Sequence, residues 1–311
     1  MTRTIALTGA TGFLGAALAR ALLDRGDTVR ALARDPRGLP RSAAIIPVAG
    51  SLEDEAALAE LAAGADLFIH CAGLTHARRD EDFFAVNVKG AYRAAKAAST
   101  RSGKFVHISS LAARRPSVSP YAASKRESEE AARAGAGSNP FVSLRAPAIY
   151  GPGDKATLPY FRLVKSGLAP EPAGAPPPRA SILYVEDVVC AILAAADEAA
   201  PGAAYEIGDD APEGHSWREI GEALGAALGV RARRLPAPKG LLTAYAAAAS
   251  GLSRMAGRAP MVTPGKIAEF FHPDWVARDN LLSEATSWRA QTPLKEGFAK
   301  TVRWYQENGL L

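Results

Sequence analysis

Short apolar runs alternate with longer alanine-rich stretches along the first two-thirds of the chain. The runs cover residues 4–8, 28–33, 44–48, 67–72, 104–109 and 141–145, and the stretches with helical spacing cover 15–25, 53–62, 86–99 and 120–134. A strand that feeds a helical crossover returns beside its predecessor in parallel, so this alternation predicts a doubly wound α/β sheet. Runs without polar alternation, such as Phe105-Val106-His107-Ile108, fit strands covered on both faces.

After residue 151 the pattern changes. Residues 169–178 are rich in Pro, Gly and Ala and read as a loop. A strand-helix unit over 181–196 and a strand over 204–207 follow. Ser216 with Glu219 three residues on has the form of a capping box, opening a helix that runs to Leu228 with Gly229 as its C-cap. Residues 240–261 are apolar but interrupted by Gly251 and Gly257. They read as a small helical lid, with an amphipathic segment touching a membrane as the alternative. Residues 288–311, with Trp304 and Tyr305, predict a helix docked on the body. The expected division is a doubly wound domain over 1–168, to whose sheet 181–208 returns, and a small, mostly helical substrate region over 169–180 and 209–311. No internal repeat is visible.

Composition narrows the class. The 311 residues allow about two domains or one large α/β domain. At 48% hydrophobic and 22% charged, the chain is globular in composition. Cys71 and Cys190 are too few for a disulfide framework or a thiolate zinc site. No run of about 20 apolar residues offers a membrane span, and the first apparent strand begins at Thr4, leaving no room for a signal peptide. The expected location is therefore the cytoplasm. The 37 basic and 32 acidic residues leave +5, and the arginines are spread along the chain, which fits a solvated surface rather than a nucleic-acid partner. His215 and His272 have no neighbour at metal-ligand spacing, so no metal is expected.

Candidate chemistry begins directly after the first strand, at Thr8-Gly9-Ala10-Thr11-Gly12-Phe13-Leu14-Gly15. Gly9 would allow a tight turn, Gly12 would clear the approach of a pyrophosphate, and Gly15 would let the following helix pack on the strand. The helix N-terminus would then offer N–H groups and a positive dipole to the phosphates. The sequence context points to a Rossmann-type dinucleotide-binding unit. At the end of the second strand an acidic residue would bond the ribose hydroxyls of NAD. Ala33 stands there, followed by Arg34, and a guanidinium suits a 2′-phosphate. The expected cofactor is NADP(H). Asp35, two residues further on, keeps NAD(H) as the alternative.

Tyr121-Ala122-Ala123-Ser124-Lys125 places a phenol and an ammonium one helical turn apart on one face. A free tyrosine titrates near pH 10. A positive charge about 4 Å away, worth roughly 4 kcal/mol at an effective dielectric of about 20, would lower that by up to about three units and suit acid–base catalysis. Ser109-Ser110 closes the strand before this helix, where a parallel sheet presents its ligands.

With these motifs in this order the chain resembles the extended branch of the short-chain dehydrogenase/reductase superfamily, the epimerase/dehydratase-like enzymes. The resemblance runs over essentially the whole chain. It also rests on His70-Cys71-Ala72-Gly73, Asn87-Val88-Lys89-Gly90, Arg145 with Tyr150-Gly151-Pro152-Gly153, and Tyr184-Val185-Glu186-Asp187-Val188. It implies Tyr121 as acid–base catalyst, Lys125 as the group that lowers its pKa and bonds the nicotinamide ribose, and Ser110 as the hydroxyl on the reacting oxygen, with Ser109 as runner-up. Asn87 would support the lysine or simply pack. Thr11, Phe13 and Leu14 of the glycine loop, Ala72, Gly73, Pro147 and Leu52 would border the cofactor. Ser51-Leu52 stands where relatives carry Asp-Leu, so the adenine contact reduces to Leu52. Asp187 would cap or anchor its helix, His70 would be a core histidine, and His76 is a candidate for reaching substrate. Arg78-Arg79 and Arg114-Arg115 read as solvated pairs, with Arg114 a second candidate for substrate.

Three activities compete: an NADP-dependent reductase or dehydrogenase moving a hydride between nicotinamide and a carbonyl or hydroxyl of a small substrate, a nucleotide-sugar epimerase, and a non-catalytic nucleotide binder. Leu111-Ala112-Ala113 after Ser110 lacks the acidic pair that resembling dehydratases use, and Arg114-Arg115-Pro116 replaces the Val-Tyr-Gly stretch often found in the sugar epimerases. Together with Arg34 this favours the redox enzyme. The apolar 240–261 segment favours a hydrophobic substrate. Members of the resembling family commonly dimerise through two helices per subunit, so a homodimer is left open.

Overall fold

The computed structural model describes residues 2–100, 102–174, 177–257 and 259–311. Six strands come first: β1 (Thr4–Thr8), β2 (Thr28–Ala33), β3 (Ile45–Ala49), β4 (Ala65–His70), β5 (Ser102–Ser110) and β6 (Phe141–Ala146). Four short strands follow, β7 (Ala148–Tyr150), β8 (Leu168–Pro172), β9 (Arg179–Ala180) and β10 (Ile182–Tyr184), and then β11 (Ala204–Glu206). The main sheet runs β11-β6-β5-β4-β1-β2-β3, with every neighbouring pair parallel. Strand order reverses between β1 and β4. That switch point opens a crevice at the carboxyl ends of the strands, where such sheets take their ligands.

Helices cover both faces, as the unalternated strands require. They are α1 (Phe13–Asp24), α2 (Glu55–Ala62), α3 (Asp80–Phe83), α4 (Gly90–Ser99), α5 (Pro120–Ala136), α6 (Leu158–Lys165) and α7 (Val185–Asp197). Ile5, Leu7, Val106 and Leu144 bury one face of the sheet against Leu18 and Leu22 of α1 and Ile192 of α7. Phe68 and Phe105 bury the other against α2, α4 and α5, where the small side chains of Ala91, Ala94, Ala98 and Ala132 let the helices approach closely. The expected helix over 86–99 begins as a six-residue π-helical turn at Phe84–Lys89 before regular α4. Such wide turns are rare and often mark functional sites.

The C-terminal third holds β12 (His215–Ser216), β13 (Arg233–Ala237) and β14 (Asp274–Trp275), with α8 (Trp217–Leu228), α9 (Lys239–Met255), α10 (Pro264–Phe270), α11 (Leu282–Ala285) and α12 (Leu294–Glu307). The capping box at Ser216 and Glu219 forms, and Gly229 closes α8 in the left-handed conformation. A separate core of Phe161, Ile220, Leu224, Phe298, Val302 and Tyr305 joins this region to the sheet domain. Asp187 ties the tail down, its two carboxylate oxygens accepting from the Gln291 and Thr292 amides at 3.0 Å each.

Two expectations are corrected. Residues 169–178 are not simply loop, because Leu168–Pro172 pairs in parallel with β13; Ala175 and Pro176 lie outside the described residues. The prolines at 170 and 172 are tolerated because a two-stranded ribbon consists only of edges, where a missing N–H costs little. Gly251 also fails to interrupt the lid segment, since α9 runs continuously through it and ends at Met255, just before Gly257 with φ near +73°. One helical glycine costs only about 1 kcal/mol.

Candidate active site

The turn after β1 forms the first wall of the crevice. Gly9 has φ +78°, and a Cβ there would stand 2.7 Å from the Ala72 amide nitrogen. A Cβ on Gly15 would stand 2.1 Å from the Gly9 carbonyl oxygen, so both glycines are dictated by backbone packing. Gly12 differs, since its Cβ would meet only that same carbonyl oxygen, at 3.3 Å. It caps α1 with no side-chain hydrogen bond, and the first turn carries no acidic residue. The N–H groups and dipole of α1 are thus free for an anion, and the groove fits a pyrophosphate. Ala72 and Gly73 follow β4 on its other side, and Gly153, in the turn after β7, faces the Phe13 ring. Pro147 links β6 to β7.

The end of β2 lies where the sequence places it, at Ala33, followed by an exposed Arg34. Asp35 instead caps the short turn Pro36–Gly38, and its carboxylate is gripped by the Arg37 guanidinium at 2.8 Å. That pairing holds the Asp35 carboxyl below the usual carboxylate range. The same turn brings Gly38 against the Thr11 methyl group, onto the glycine loop. Leu52 packs over Gly90, where a Cβ would stand 2.7 Å from its Cδ1.

At the carboxyl end of β5 the two serines part company. Ser109 Oγ donates to Glu129 Oε1 at 2.6 Å and is buried. Ser110 is only half-buried; its Oγ accepts from the Ala112 amide at 3.2 Å and acts to lower the pKa of the Tyr121 phenol. The alternation of a strand sends adjacent side chains to opposite faces, which settles which hydroxyl meets the phenol. Tyr121 sits in the first turn of α5, capped by Ser119, whose Oγ accepts from the Ala122 amide at 3.0 Å. The Phe83 ring meets it edge-on, centroids 5.9 Å apart.

The expected lowering of the phenol pKa is not what the fold produces. Burial pushes Tyr121 up to about 12, opposed by the Ser110 hydroxyl and reinforced by the negative charge of Glu269. Lys125 is buried too. Its Nζ donates to the Ile108 carbonyl at 2.7 Å, and desolvation brings its pKa down from 10.5 to about 8, against the pull of Glu129. Its charge is felt mainly below, by His70, His107 and Cys71. Desolvation disfavours the charged form of both groups and outweighs the attraction assumed at the sequence level.

Asn87, on the π-helical turn, reaches neither end of that pair directly. Its Oδ1 accepts from the Leu74 amide at 2.7 Å, and its Nδ2 donates to the Leu74 carbonyl at 3.1 Å and to Ser124 Oγ at 2.9 Å. Ser124 in turn donates to the Tyr121 carbonyl at 2.8 Å. Asn87 therefore clamps the loop after β4 to the helix that carries Tyr121, a contact of the packing kind expected beside lysine support. His70 is a core histidine as expected, its Nδ1 2.8 Å from Thr8 Oγ1 and its pKa pulled down to about 3 by burial.

Arg114 is neither solvated nor free for substrate. It is largely buried and ion-paired with Glu206 at 3.1 Å. Glu206 also faces Arg145, which grips Glu129 at 2.8 Å. This chain of alternating charges braces the ends of β5, β6 and β11 under the site. It leaves no residue pair whose spacing announces it, because its members come from four distant segments.

The sequence also gives no sign of Lys266 and Glu269. Helix α10 folds back over the start of α5 and places the Lys266 ammonium 4.3 Å from the Tyr121 ring centroid. Lys266 pairs with Glu269 at 2.8 Å, and Glu269 accepts from Ser119 Oγ at 2.6 Å. His76 feels both charges, though burial is the main cause of its lowered pKa. Among the described residues no cluster of His, Cys, Asp and Glu could hold a metal ion, and no helix is long and apolar enough to cross a membrane.

Comparisons with known proteins agree with this architecture. Residues 5–208 match the model of the NAD dependent epimerase/dehydratase family. The chain is 39% identical over 311 residues to a ceramide reductase of Caulobacter vibrioides, covering 99% of this chain and 96% of the relative. It is 31% identical over 236 residues to a 4-hydroxy-2-methyl-3-oxo-4-farnesyl-3,4-dihydroquinoline-1-oxide ketoreductase of Stigmatella aurantiaca, covering 66% of this chain and 68% of that one. Among solved structures, the Bordetella bronchiseptica enzyme WbmH in complex with NAD+ superposes with a TM-score of 0.75 at 20% identity, covering 99% of this chain and 100% of that one. With the glycine turn, the Tyr-Lys helix and the serine strand end assembled at one crevice, the chain belongs to the NAD dependent epimerase/dehydratase family and is an NAD(P)-dependent oxidoreductase of the extended short-chain type.

Proposed function

We propose that the protein is an NADPH-dependent reductase of a ketone carried on a lipophilic substrate. The observation that carries this reading is the Tyr121 phenol. It is partly buried at the carboxyl end of β5 beside Ser110, under the Lys266 ammonium and edge-on to the Phe83 ring. Its raised pKa keeps it protonated at neutral pH, as a proton donor needs to be. When bound, the nicotinamide supplies a hydride to the carbonyl carbon. Ser110 donates a hydrogen bond to the carbonyl oxygen and orients it, and Tyr121 gives its phenolic proton to that oxygen as negative charge builds there. Lys125 holds the ribose through its ammonium, and Asn87 keeps the Tyr121 helix in register with the loop at Ala72 and Gly73. Arg34 takes the 2′-phosphate, because the competing Asp35 is already spent on Arg37. Leu111, Ala112 and Ala113 are buried and offer no second acid, which favours simple reduction over loss of water.

The two relatives named above are a reductase and a ketoreductase, and both names carry a lipid or isoprenoid group. That favours a lipophilic ketone over a sugar nucleotide. We read the enzyme as cytoplasmic, where free Cys71 and Cys190 would stay reduced. The test is NADPH oxidation followed at equilibrium with long-chain ketones beside UDP-glucose. Stoichiometric oxidation with the ketone is expected. Epimerisation of the sugar without net oxidation would replace this reading.

A pH dependence follows from Lys125. Because its pKa is lowered from 10.5 to about 8, the ammonium is lost as pH rises through that range, while Tyr121 keeps its proton. NADPH binding is expected to weaken above about pH 8. In Lys125→Met the binding should be weaker throughout and show no inflection there. An unchanged inflection in that variant would assign it to another group.

A further inference from the structure

Helix α9 is turned inside out for a helix of a soluble domain. Its buried contacts are made by Ala246 and Ser250, while Leu241, Tyr245, Leu252 and Met255 are 69%, 62%, 69% and 87% exposed. At 100° per residue these four large side chains fall in one stripe, opposite the buried pair. Met261 and Val262 are exposed just beyond it, on a segment tied to α9 where Ser250 Oγ donates to the Val262 carbonyl at 2.9 Å. No described segment of the chain covers the stripe.

Charge says what covers it. Between residues 223 and 268 the chain has seven basic residues and no Asp or Glu. The rest of the protein holds 30 basic and 32 acidic residues, so the net positive charge belongs to this segment. Arg231, Arg233 and Lys239, which precede the stripe, are exposed and carry no ion pair among the described residues. An apolar stripe within an all-basic segment matches the interface of an anionic bilayer, which offers acyl chains and negative headgroups together. A second copy would bring the same positive charge against itself.

We propose that α9 and its basic flank dock the protein on an anionic membrane surface. The helix lies along the interface and does not span it. The docked edge adjoins the site at the C-terminal end of α9. Arg254 Nε donates to the Arg78 carbonyl at 3.0 Å, in the loop after β4, and α10 lies over Tyr121. A bilayer-resident substrate would then enter without crossing water. Only that last consequence rests on the proposed lipophilic substrate; the docking itself does not.

The experiment is flotation of the full chain with vesicles of phosphatidylcholine alone and of phosphatidylcholine mixed with phosphatidylglycerol. Binding is expected to the anionic vesicles and to fall at least about ten-fold between roughly 0.05 M and 0.5 M salt. Leu252→Glu with Met255→Glu, both at exposed positions, should abolish binding yet leave NADPH affinity unchanged. Ile46→Glu, an exposed apolar position on edge strand β3, should leave binding intact. No binding of the wild type to either vesicle would overturn the proposal. So would equal loss in the Ile46 variant, or a dimer in solution that Leu252→Glu dissociates without any vesicle binding. None of these readouts needs substrate, so the surface can fail while the reductase assignment stands, and the reverse.

Discussion

Tyr121→Phe is expected to lower turnover by about 10²- to 10⁴-fold, the range for losing a positioned general acid. The fold isolates the chemistry well. Phe keeps the ring against Phe83 and beneath Lys266 and removes only the phenolic hydroxyl. One lost hydroxyl costs at most about 1 kcal/mol of stability, so the variant should fold and bind NADPH nearly as the parent does. Steady-state kinetics beside a fluorescence titration of the cofactor checks both halves. Activity within a few-fold of the parent would remove Tyr121 from the chemistry and leave only a nucleotide-binding crevice.

Arg34→Ala is expected to weaken NADPH binding by about 10- to 100-fold, the scale of a charge-assisted contact to phosphate, while NADH binding stays put. The parent should bind NADPH at least about ten-fold tighter than NADH. Arg34 is free for this because the nearby carboxylate is not. Asp35 is held by Arg37 and by the backbone of the turn it caps. Removing that clamp with Arg37→Ala should free the carboxylate and narrow the preference in the same direction, by a smaller factor. Equal affinities of the parent for the two cofactors would defeat the assignment.

The local rules were enough for the frame. Buried parallel strands need unbroken apolar runs and helical crossovers, so the doubly wound sheet is legible in residues 4–145. Gly9 and Gly15 are legible because a tight turn and a close helix admit nothing larger. The capping box at Ser216 is legible because its partners lie three residues apart. Other features escape for reasons of the same kind. A pair of prolines and a glycine hid β8, since an edge ribbon tolerates what a central strand cannot. Gly251 suggested a break where tertiary packing of α9 outweighs about 1 kcal/mol of propensity. Asn87 stands in a π-helical turn that no spacing rule announces.

What the amino-acid order carries by itself is the local arrangement of the candidate groups: a phenol and an ammonium one turn apart, a hydroxyl at a strand end, a glycine turn and an arginine after β2. Contacts within a helix or a turn depend on neighbours close in sequence, so they can be read there. Tertiary structure decided what those groups do. It sent Ser109 to Glu129 and Ser110 to Tyr121, raised the phenol and lowered the lysine by taking both out of water, and swung Lys266 over the ring from 145 residues away. Solvation and long-range charge depend on everything that surrounds a group, and the folded chain alone supplies those surroundings.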